Sequence, residues 1–319
     1  MRPPCRFVHI FIMGGQVTFA VAVQQFFQPV RGQSLAIQLL TRALSQQCLA
    51  PAYWFQGPAG VGKALTARCF LQAVLGSADS HPDLLWVQPQ ETGRFQPPQI
   101  RIEQVRDISA FVSRTPWQSD HSWVVIEAAQ SLTEAAQDAL LKTLEEPGHS
   151  HLLLLVDRPD ALLATIRSRC QIIPFYRLPT ADVLAILAEK GYGEIQQQPE
   201  LLALAQGSPG AAIQHWQQWQ ALPPEVRSRL ADKPRSLAQA LEWARRLTQT
   251  LEPATQLWLT DYWQMAYWRR YRQPELVQLW EQARQALLSH VQPQLVWEVT
   301  WMRLYQHQAT GPQGDTIKG

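Results

Sequence analysis

Short apolar runs alternate with helix-like patterns of apolar and polar residues between residues 33 and 176. The five runs are YWFQG, DLLWVQP, SWVVIEA, HLLLLVD and CQIIPFY. Nearly continuous apolar runs of this length are typical of strands that are buried on both faces of a parallel sheet. Between them, the segment IRIEQVRDISAFV places Ile102, Val105, Ile108 and Val112 on one helical face. The alternation predicts an α/β fold in which helices cover a parallel sheet.

The segment SLTEAAQDALLKTLEEPG predicts a further helix with defined ends. Ser131 and Glu134 have the spacing of a capping box, which favours Ser131 as the N-cap. Ala136, Leu140 and Leu144 follow at steps of four residues, and a Pro-Gly pair ends the pattern.

No further strand is predicted after Pro179. TADVLAILAEKGY and PELLALAQGSPG predict two short helices, and a polar stretch with prolines leads into a long helical region. The predicted organisation is an N-terminal extension (1–25), an α/β domain (26–177), a small helical unit (178–213), an all-α C-terminal domain (220–308) and a disordered tail (309–319).

Aromatic residues recur at helical spacing in the C-terminal region. The repeats are Trp258 and Tyr262, then Trp263 and Tyr267, then Trp297, Trp301 and Tyr305. A stripe of this kind favours a buried core. A subunit contact is the alternative, because aromatic residues are also enriched at interfaces.

The first residues, MRPPCRFVHIFIMGGQVTFAVAV, superficially resemble a signal peptide, with two arginines before an apolar run. Two glycines and Gln16 interrupt the run, which is too short to span a bilayer. We favour an upstream extension, with Met13 as a later candidate start, over a targeting signal. No other segment has the pattern of a transmembrane helix.

Charge and cysteine content narrow the classes of protein. The 28 basic and 26 acidic side chains give a formal net charge of +2, so the chain lacks the basic excess of a dedicated nucleic-acid binder. The four cysteines lie far apart without a Cys-x-x-Cys pair, which argues against structural zinc and against a disulfide framework. We expect a reducing, cytoplasmic setting and no zinc.

The segment GPAGVGKALTA has the pattern of a phosphate-binding loop with one departure. Gly57, Gly62 and Lys63 fit G-x-x-x-x-G-K-[ST], Gly60 adds a further glycine, and Ala64 replaces the Ser or Thr. The loop follows a predicted strand and precedes a predicted helix, whose N-terminus suits phosphate. Ala64 lacks the hydroxyl that ligates the magnesium ion of a nucleoside triphosphate. These five residues are candidate nucleotide-contacting positions of a degenerate site.

The strand that should supply the acidic residues of a nucleotide hydrolase is SWVVIEAAQ. Glu127 occupies the metal-binding position, and Ala128 occupies the position of the general base. General-base help is typically worth about 10²–10⁴ in rate, so this substitution should nearly abolish hydrolysis. Thr66 cannot supply the missing hydroxyl, because two residues along a helix correspond to about 200° of rotation.

Four segments together resemble the clamp-loader branch of the AAA+ proteins, namely GPAGVGKA, DALLKTLEEPG, LLATIRSRCQIIPF and GSPGAA. The resemblance covers residues 26–210 well and extends weakly into the C-terminal region. It implies an AAA+ P-loop parallel-sheet domain, a helical lid (178–213) and an all-α collar that serves oligomerisation (220–308). The family's Ser-Arg-Cys motif falls on residues 168–170. Its arginine, here Arg169, implies an arginine finger that enters a neighbouring subunit's nucleotide site.

The resemblance also identifies catalytic features of motor subunits that this chain lacks. Where a motor has a polar first sensor at the end of HLLLLVD, this chain has Val156 followed by Asp157. Where a motor has an arginine in the lid, this chain has Gly210. Metal ligand, general base and lid arginine are thus all replaced, whereas Arg169 is kept.

This combination implies a non-motor, stator-like subunit that helps load the sliding clamp of DNA polymerase III onto primed DNA. The implied partners are the clamp-loader motor subunits and the delta subunit, with the sliding clamp and primed DNA reached through the assembled complex. No membrane is implied. The subunit would belong to the polymerase holoenzyme without polymerase activity and with negligible ATPase activity. No cofactor is required, although weak ATP or ADP binding stays open.

Two other functions compete with this interpretation. An active AAA+ motor would hydrolyse ATP in isolation, which the replaced residues argue against. A P-loop kinase would need a lid with arginines facing the phosphates, which residues 179–210 do not supply.

The cluster YWRRYRQPE could bring Arg269, Arg270 and Arg272 to DNA phosphates. It precedes Pro274, where a helix should end, and cations are favourable at a helix C-terminus. We favour the helix-terminus explanation.

Overall fold

The computed structural model describes residues 23–77, 80–91, 98–228, 230, 234–289 and 291–310. The predictions for residues 1–22 and 311–319 therefore lie outside the described residues. The chain divides into two compact units. The first runs to Ile186 and includes Gly207–Gly210, and the second comprises Leu187–Gln206 and the chain from Ala211 onward. The domain boundaries given above stay predictions.

The first unit is built on a parallel five-stranded sheet with the order β2–β3–β4–β1–β5. The strands are β1 (Ala52–Gln56), β2 (Leu84–Val87), β3 (Ser122–Ile126), β4 (Ser150–Val156) and β5 (Gln171–Pro174). Each coincides with one of the five predicted apolar runs, although β1 and β4 begin one residue before theirs, so the strand prediction is confirmed.

The carboxyl ends of the central strands lie side by side. Gln56 at the end of β1 is in register with Val156 of β4 and with Pro174 of β5. Every residue of β3 and β4 is buried. Because loops that follow adjacent parallel strands emerge at the same sheet edge, the loop after β1 and the residue after β4 are neighbours.

Helices cover the sheet, as the alternating pattern predicts. They are α1 (Ser34–Ser45), α2 (Lys63–Leu75), α3 (Ile102–Val112), α4 (Glu134–Glu145), α5 (Ala164–Arg167) and α6 (Thr180–Glu189), of which the last crosses the division between the units. On α3, Val105, Ile108 and Val112 are buried, as the spacing predicted, whereas Ile102 is half-buried.

The predicted capping box at the start of α4 is wrong. Ser131 ends a 3-10 turn, and Thr133 is the N-cap, whose side chain accepts from Ala136 N. The reason is tertiary: Ile100 N donates to Ser131 O at 2.9 Å, and Thr133 N donates to Ile100 O at 3.0 Å. This pairing keeps Leu132 and Thr133 extended, so the helix begins only at Glu134.

The second unit is helical, and no strand occurs among its described residues. Its helices are α7 (Pro199–Ala205), α8 (Pro209–Ala221, from Ala211 onward), α9 (Pro224–Arg227), α10 (Leu237–Thr250), α11 (Pro253–Tyr271), α12 (Pro274–Leu288) and α13 (Pro293–Thr310). Helix α11 packs against α7 and α12, and α13 packs against α10 and α12. The end of α13 takes in the first two residues of the predicted disordered tail.

The aromatic stripe forms the core of this unit, as favoured above. Trp263 stacks on Trp280 at 5.0 Å and meets the edges of Trp297 and Trp301. Two of the indoles donate hydrogen bonds, Trp263 Nε1 to Leu230 O and Trp297 Nε1 to Gln256 Oε1. The subunit-contact alternative is therefore wrong for these tryptophans, because their faces are covered by one another.

Within the described part of the chain, no helix is both long enough and apolar enough to cross a membrane.

Candidate functional site

The candidate site is the loop between β1 and α2, which has the predicted strand–loop–helix context. Gly62 is the N-cap of α2 with φ 106°, and Gly60 has φ 72°. Both values lie in the left-handed region that glycine favours. At Gly57, a Cβ atom would lie 2.4 Å from Phe175 O. Backbone conformation or packing therefore requires glycine at all three positions.

Lys63 is directed inward and fully hydrogen-bonded. Its side chain is 6% exposed, and Nζ donates to Gly57 O at 2.7 Å and to Pro58 O at 2.5 Å. The third partner is Asp157, whose Oδ1 lies 2.7 Å from Nζ. Burial lowers the pKa of the Lys63 ammonium, and the hydrogen bond and charge of Asp157 oppose that shift.

Asp157 is held in this position by Gln130. Gln130 Nε2 donates to Asp157 Oδ2 at 2.9 Å, and Asp157 N donates to Gln130 Oε1 at 3.1 Å. Gln130 lies in the turn that follows β3, so the ends of β3, β4 and β1 are linked through Gln130, Asp157 and Lys63. The sequence reasoning had noted Asp157 only as a replacement for a polar sensor.

The backbone N–H groups of the loop remain available. Among the described residues, the N–H groups of Gly60, Val61 and Gly62 meet no hydrogen-bond acceptor. They precede the N-terminus of α2, where unpaired N–H groups and the helix dipole favour an anion. The loop thus keeps backbone groups that could bind an anion, whereas its lysine is bonded to other atoms of the protein.

The segment Gly207–Gly210 packs directly on this loop. Gly210 N donates to Gly60 O at 3.0 Å, and Ser208 Oγ donates to Ala59 O at 2.7 Å. A Cβ atom on Gly210 would lie 2.7 Å from Gly60 Cα. An arginine at residue 210 would therefore require backbone movement.

Gln33 also supports the loop, and sequence reasoning missed it. This buried side chain donates from Nε2 to Val61 O at 3.2 Å and to Tyr176 O at 2.8 Å, and it accepts from Tyr176 N at 3.0 Å. It joins the phosphate loop to Tyr176, two residues after the end of β5. An isolated glutamine before a helix carries no motif that could have revealed this role.

Two further predicted positions, Ala64 and Glu127, do not bond to Lys63 through their side chains. Ala64 is the second residue of α2, and Thr66 Oγ1 donates to Gly62 O at 2.9 Å, so Thr66 does not replace the missing ligand. Glu127 Oε2 accepts from Trp86 Nε1 at 3.0 Å and from Gln88 Nε2 at 2.8 Å. The acid that meets Lys63 is therefore Asp157 and not Glu127.

Arg169 lies on the surface just after α5. Its Nη1 donates to Thr165 O at 2.9 Å, and its Nη2 pairs with Glu145 Oε1 at 2.7 Å. The two side chains are 36% and 53% exposed, and surface pairs of this kind typically contribute only about 0–1 kcal/mol. The neighbouring Cys170 packs against the hydrophobic core, and burial raises the pKa of its thiol to about 12.

The three arginines near Pro274 are accounted for by their helix end. Arg269 and Arg270 lie in the last turn of α11, and Arg272 is its C-cap with φ 53°. Arg272 also stands over the ring of Trp268 at 5.3 Å. These contacts agree with the helix-terminus explanation.

Two family models match consecutive parts of the chain. Residues 32–179 match the model described as DNA polymerase III, delta subunit. Residues 181–304 match the model described as cyanobacterial DNA polymerase III delta prime, C-terminal domain.

Curated relatives are similar to the chain over about half its length. The DNA polymerase III subunit delta-prime of Pseudomonas aeruginosa is 38% identical over 183 residues, which are 50% of this chain and 54% of the relative. The corresponding Escherichia coli subunit is 35% identical over 152 residues, 46% of this chain and 44% of the relative. The chain thus spans about half the length of the curated relatives it matches.

A solved structure of a DNA polymerase III gamma subunit-related protein from Thermotoga maritima shares the fold. It has a TM-score of 0.54 and 16% identity, covering 85% of this chain and 99% of that chain. This likeness shows that the two chains share a fold and carries no statement about activity.

Proposed function

We propose that the chain, whose consecutive parts match the DNA polymerase III delta and delta-prime family models, is a non-motor subunit of the clamp loader. In this role it helps load the sliding clamp onto primed DNA in the cytoplasm. Its partners are the motor subunits and the delta subunit, and through the assembled complex the clamp and the DNA.

The observation that carries the proposal is the contrast between Lys63 and Arg169. Lys63 gives its three donors to Gly57, Pro58 and Asp157, so it has none left for a nucleotide of its own. Among the described residues, Arg169 is held by an exposed pair and one carbonyl oxygen. Exchanging Glu145 for a neighbour's phosphate would cost little, because the exposed pair is weak.

Arg169 would act by electrostatic stabilisation. A guanidinium that enters the neighbouring site meets the charge that develops on the transferred phosphoryl group, where a preorganised cation lowers the barrier. An arginine supplied in this way is worth about 10³–10⁵ in turnover in other nucleotide hydrolases. In this proposal, Ala128 at the general-base position and Ala64 at the magnesium-ligand position supply neither group for hydrolysis at the subunit's own loop.

We expect the isolated protein to hydrolyse ATP negligibly and to bind ATP or ADP weakly or not at all. Ala128 cannot accept a proton and Ala64 cannot ligate magnesium, so binding should also change little when the ion is chelated. Steady-state ATPase assays and calorimetric titrations with and without EDTA measure both quantities. Turnover at the rate of an ordinary AAA+ motor, abolished by Lys63→Ala, would support the active-motor alternative instead.

The second unit offers an exposed apolar surface for the collar role. Leu288, Val291 and Leu295, here called the α12–α13 patch, are each more than a third exposed. Because Trp263, Trp280, Trp297 and Trp301 are buried in the core of this unit, subunit contacts must use other side chains. Exposed apolar patches of this kind mark interaction sites in soluble proteins.

Leu295→Asp should therefore reduce incorporation into the clamp loader by about tenfold or more, corresponding to roughly 1.4 kcal/mol. The charge would be desolvated at the interface, whereas in the free protein the side chain is exposed. Co-purification with the other clamp-loader subunits measures the effect. Leu237→Asp, at a similarly exposed leucine on α10, is the control. Equal incorporation of both variants at the wild-type level would exclude the α12–α13 patch as a contact.

A further inference from the structure

We propose that Asp157 is an internal counter-ion that occupies the position of a phosphate at Lys63. Its carboxylate thereby lowers the affinity of the loop for diphosphate ligands. The inference deepens the proposed silence of the nucleotide site and does not depend on Arg169. The ligand class at issue is a diphosphate group, either free as pyrophosphate or as part of ADP.

All three N–H donors of the Lys63 ammonium already have acceptors within the protein. An ammonium group has three N–H donors and no acceptor. Two donors point to Gly57 O and Pro58 O, and the third points to Asp157 Oδ1 at 2.7 Å. A phosphate oxygen can reach this ammonium only by displacing one of them.

The charge of Asp157 also opposes the binding of a phosphate. Asp157 neutralises the lysine charge that would attract a phosphate, and it adds a negative charge that repels one. Its carboxylate cannot easily turn away, because Gln130 grips both Oδ2 and the backbone N–H. The pair is mostly shielded from water, with Lys63 6% and Asp157 27% exposed, so the repulsion is screened less than at a surface.

The loop retains the backbone features of an anion-binding site. The N–H groups of Gly60, Val61 and Gly62 meet no acceptor among the described residues, and the left-handed conformations of Gly60 and Gly62 are in place. Successive backbone N–H groups of this kind form an anion-binding concavity. Because this concavity is intact, releasing Lys63 from the Asp157 carboxylate should be enough to restore an affinity for diphosphate.

Asp157→Ala is expected to raise the affinity for pyrophosphate by at least about tenfold over wild type, equivalent to roughly 1.4 kcal/mol. Asp157→Asn keeps the side-chain volume and should show a gain in the same direction. Calorimetric titration of the full chain with pyrophosphate and with ADP, both in EDTA, measures the effect without magnesium.

Two further variants separate a specific gain from a general change in charge. Asp160→Ala removes the same charge three residues away at an exposed position and should leave binding at the wild-type level. The double variant Asp157→Ala, Lys63→Ala should lose the gained affinity, because the released ammonium is gone.

The outcomes decide the proposal as follows. A gain in affinity for both pyrophosphate and ADP supports the proposal. A gain for pyrophosphate alone also supports it, and would assign exclusion of the nucleoside to the Gly207–Gly210 segment. No gain in either folded Asp157 variant overturns it, as does tight pyrophosphate binding by the wild type. Either negative result leaves the proposed role of Arg169 untouched, because that role is measured on the ATPase activity of the complex.

Discussion

Arg169→Ala is expected to lower the DNA- and clamp-stimulated ATPase activity of the assembled clamp loader while this subunit stays folded and incorporated. The variant loses an exposed pair with Glu145, which is worth at most about 1 kcal/mol of folding free energy. In the assembly, one neighbouring site would lose the cation that meets its developing phosphate charge. The loss should be partial, since other interfaces of the ring would supply arginines of their own.

Three comparisons make the Arg169 result interpretable. Arg167→Ala removes an exposed arginine two residues earlier and should leave the activity close to wild type. Lys63→Ala should also change the rate little, because the proposed function assigns no hydrolysis to this subunit's own site. Size-exclusion chromatography of each complex controls for incorporation. If Lys63→Ala damages activity at least as badly as Arg169→Ala, the subunit is a motor, and the proposed role is wrong.

Trp280→Ala is expected to destabilise the second unit by about 3–5 kcal/mol, the usual cost of truncating a buried tryptophan. Trp280 is 0% exposed, stacks on Trp263 and meets the edge of Trp301. Removing it opens a cavity at the centre of the aromatic core, and neighbouring indoles cannot collapse into it without leaving their own contacts. Urea unfolding followed by near-UV circular dichroism measures the free energy of unfolding.

Trp268→Ala is the matched control for this measurement. Trp268 is 39% exposed on α11, so its truncation should cost well under half as much as Trp280→Ala. If the two substitutions lower the free energy of unfolding equally, the aromatic core does not hold the unit together.

The strands and the phosphate loop could be predicted because their signals are local. Each strand is a short apolar run, and the loop follows a fixed spacing of glycines and a lysine. The start of α4 could not be predicted, because the pairing of residues 131–133 with Ile100 overrides a local capping preference. That pairing depends on residues that are adjacent only after the sheet has formed.

The same distinction applies within the site. The replacement of the metal ligand and the base could be read from single positions, since the expected residue types are known. The partnership of Lys63 with Asp157, and the bracing of the loop by Gln33, join residues that are distant along the chain. Their side-chain types fit many roles, so only the strand order and register reveal the contacts.

If the subunit is not a motor, as proposed, the close approach of Gly210 to Gly60 makes motor activity hard to regain by mutation. An arginine at residue 210 would push against the backbone of the loop, where a Cβ atom already comes within 2.7 Å of Gly60 Cα. Substitutions that restored the metal ligand and the base would bring no benefit until that backbone had moved. Descendants of such a subunit would thus be free to diversify their own nucleotide pocket, while selection would continue to act on what they supply to a neighbour.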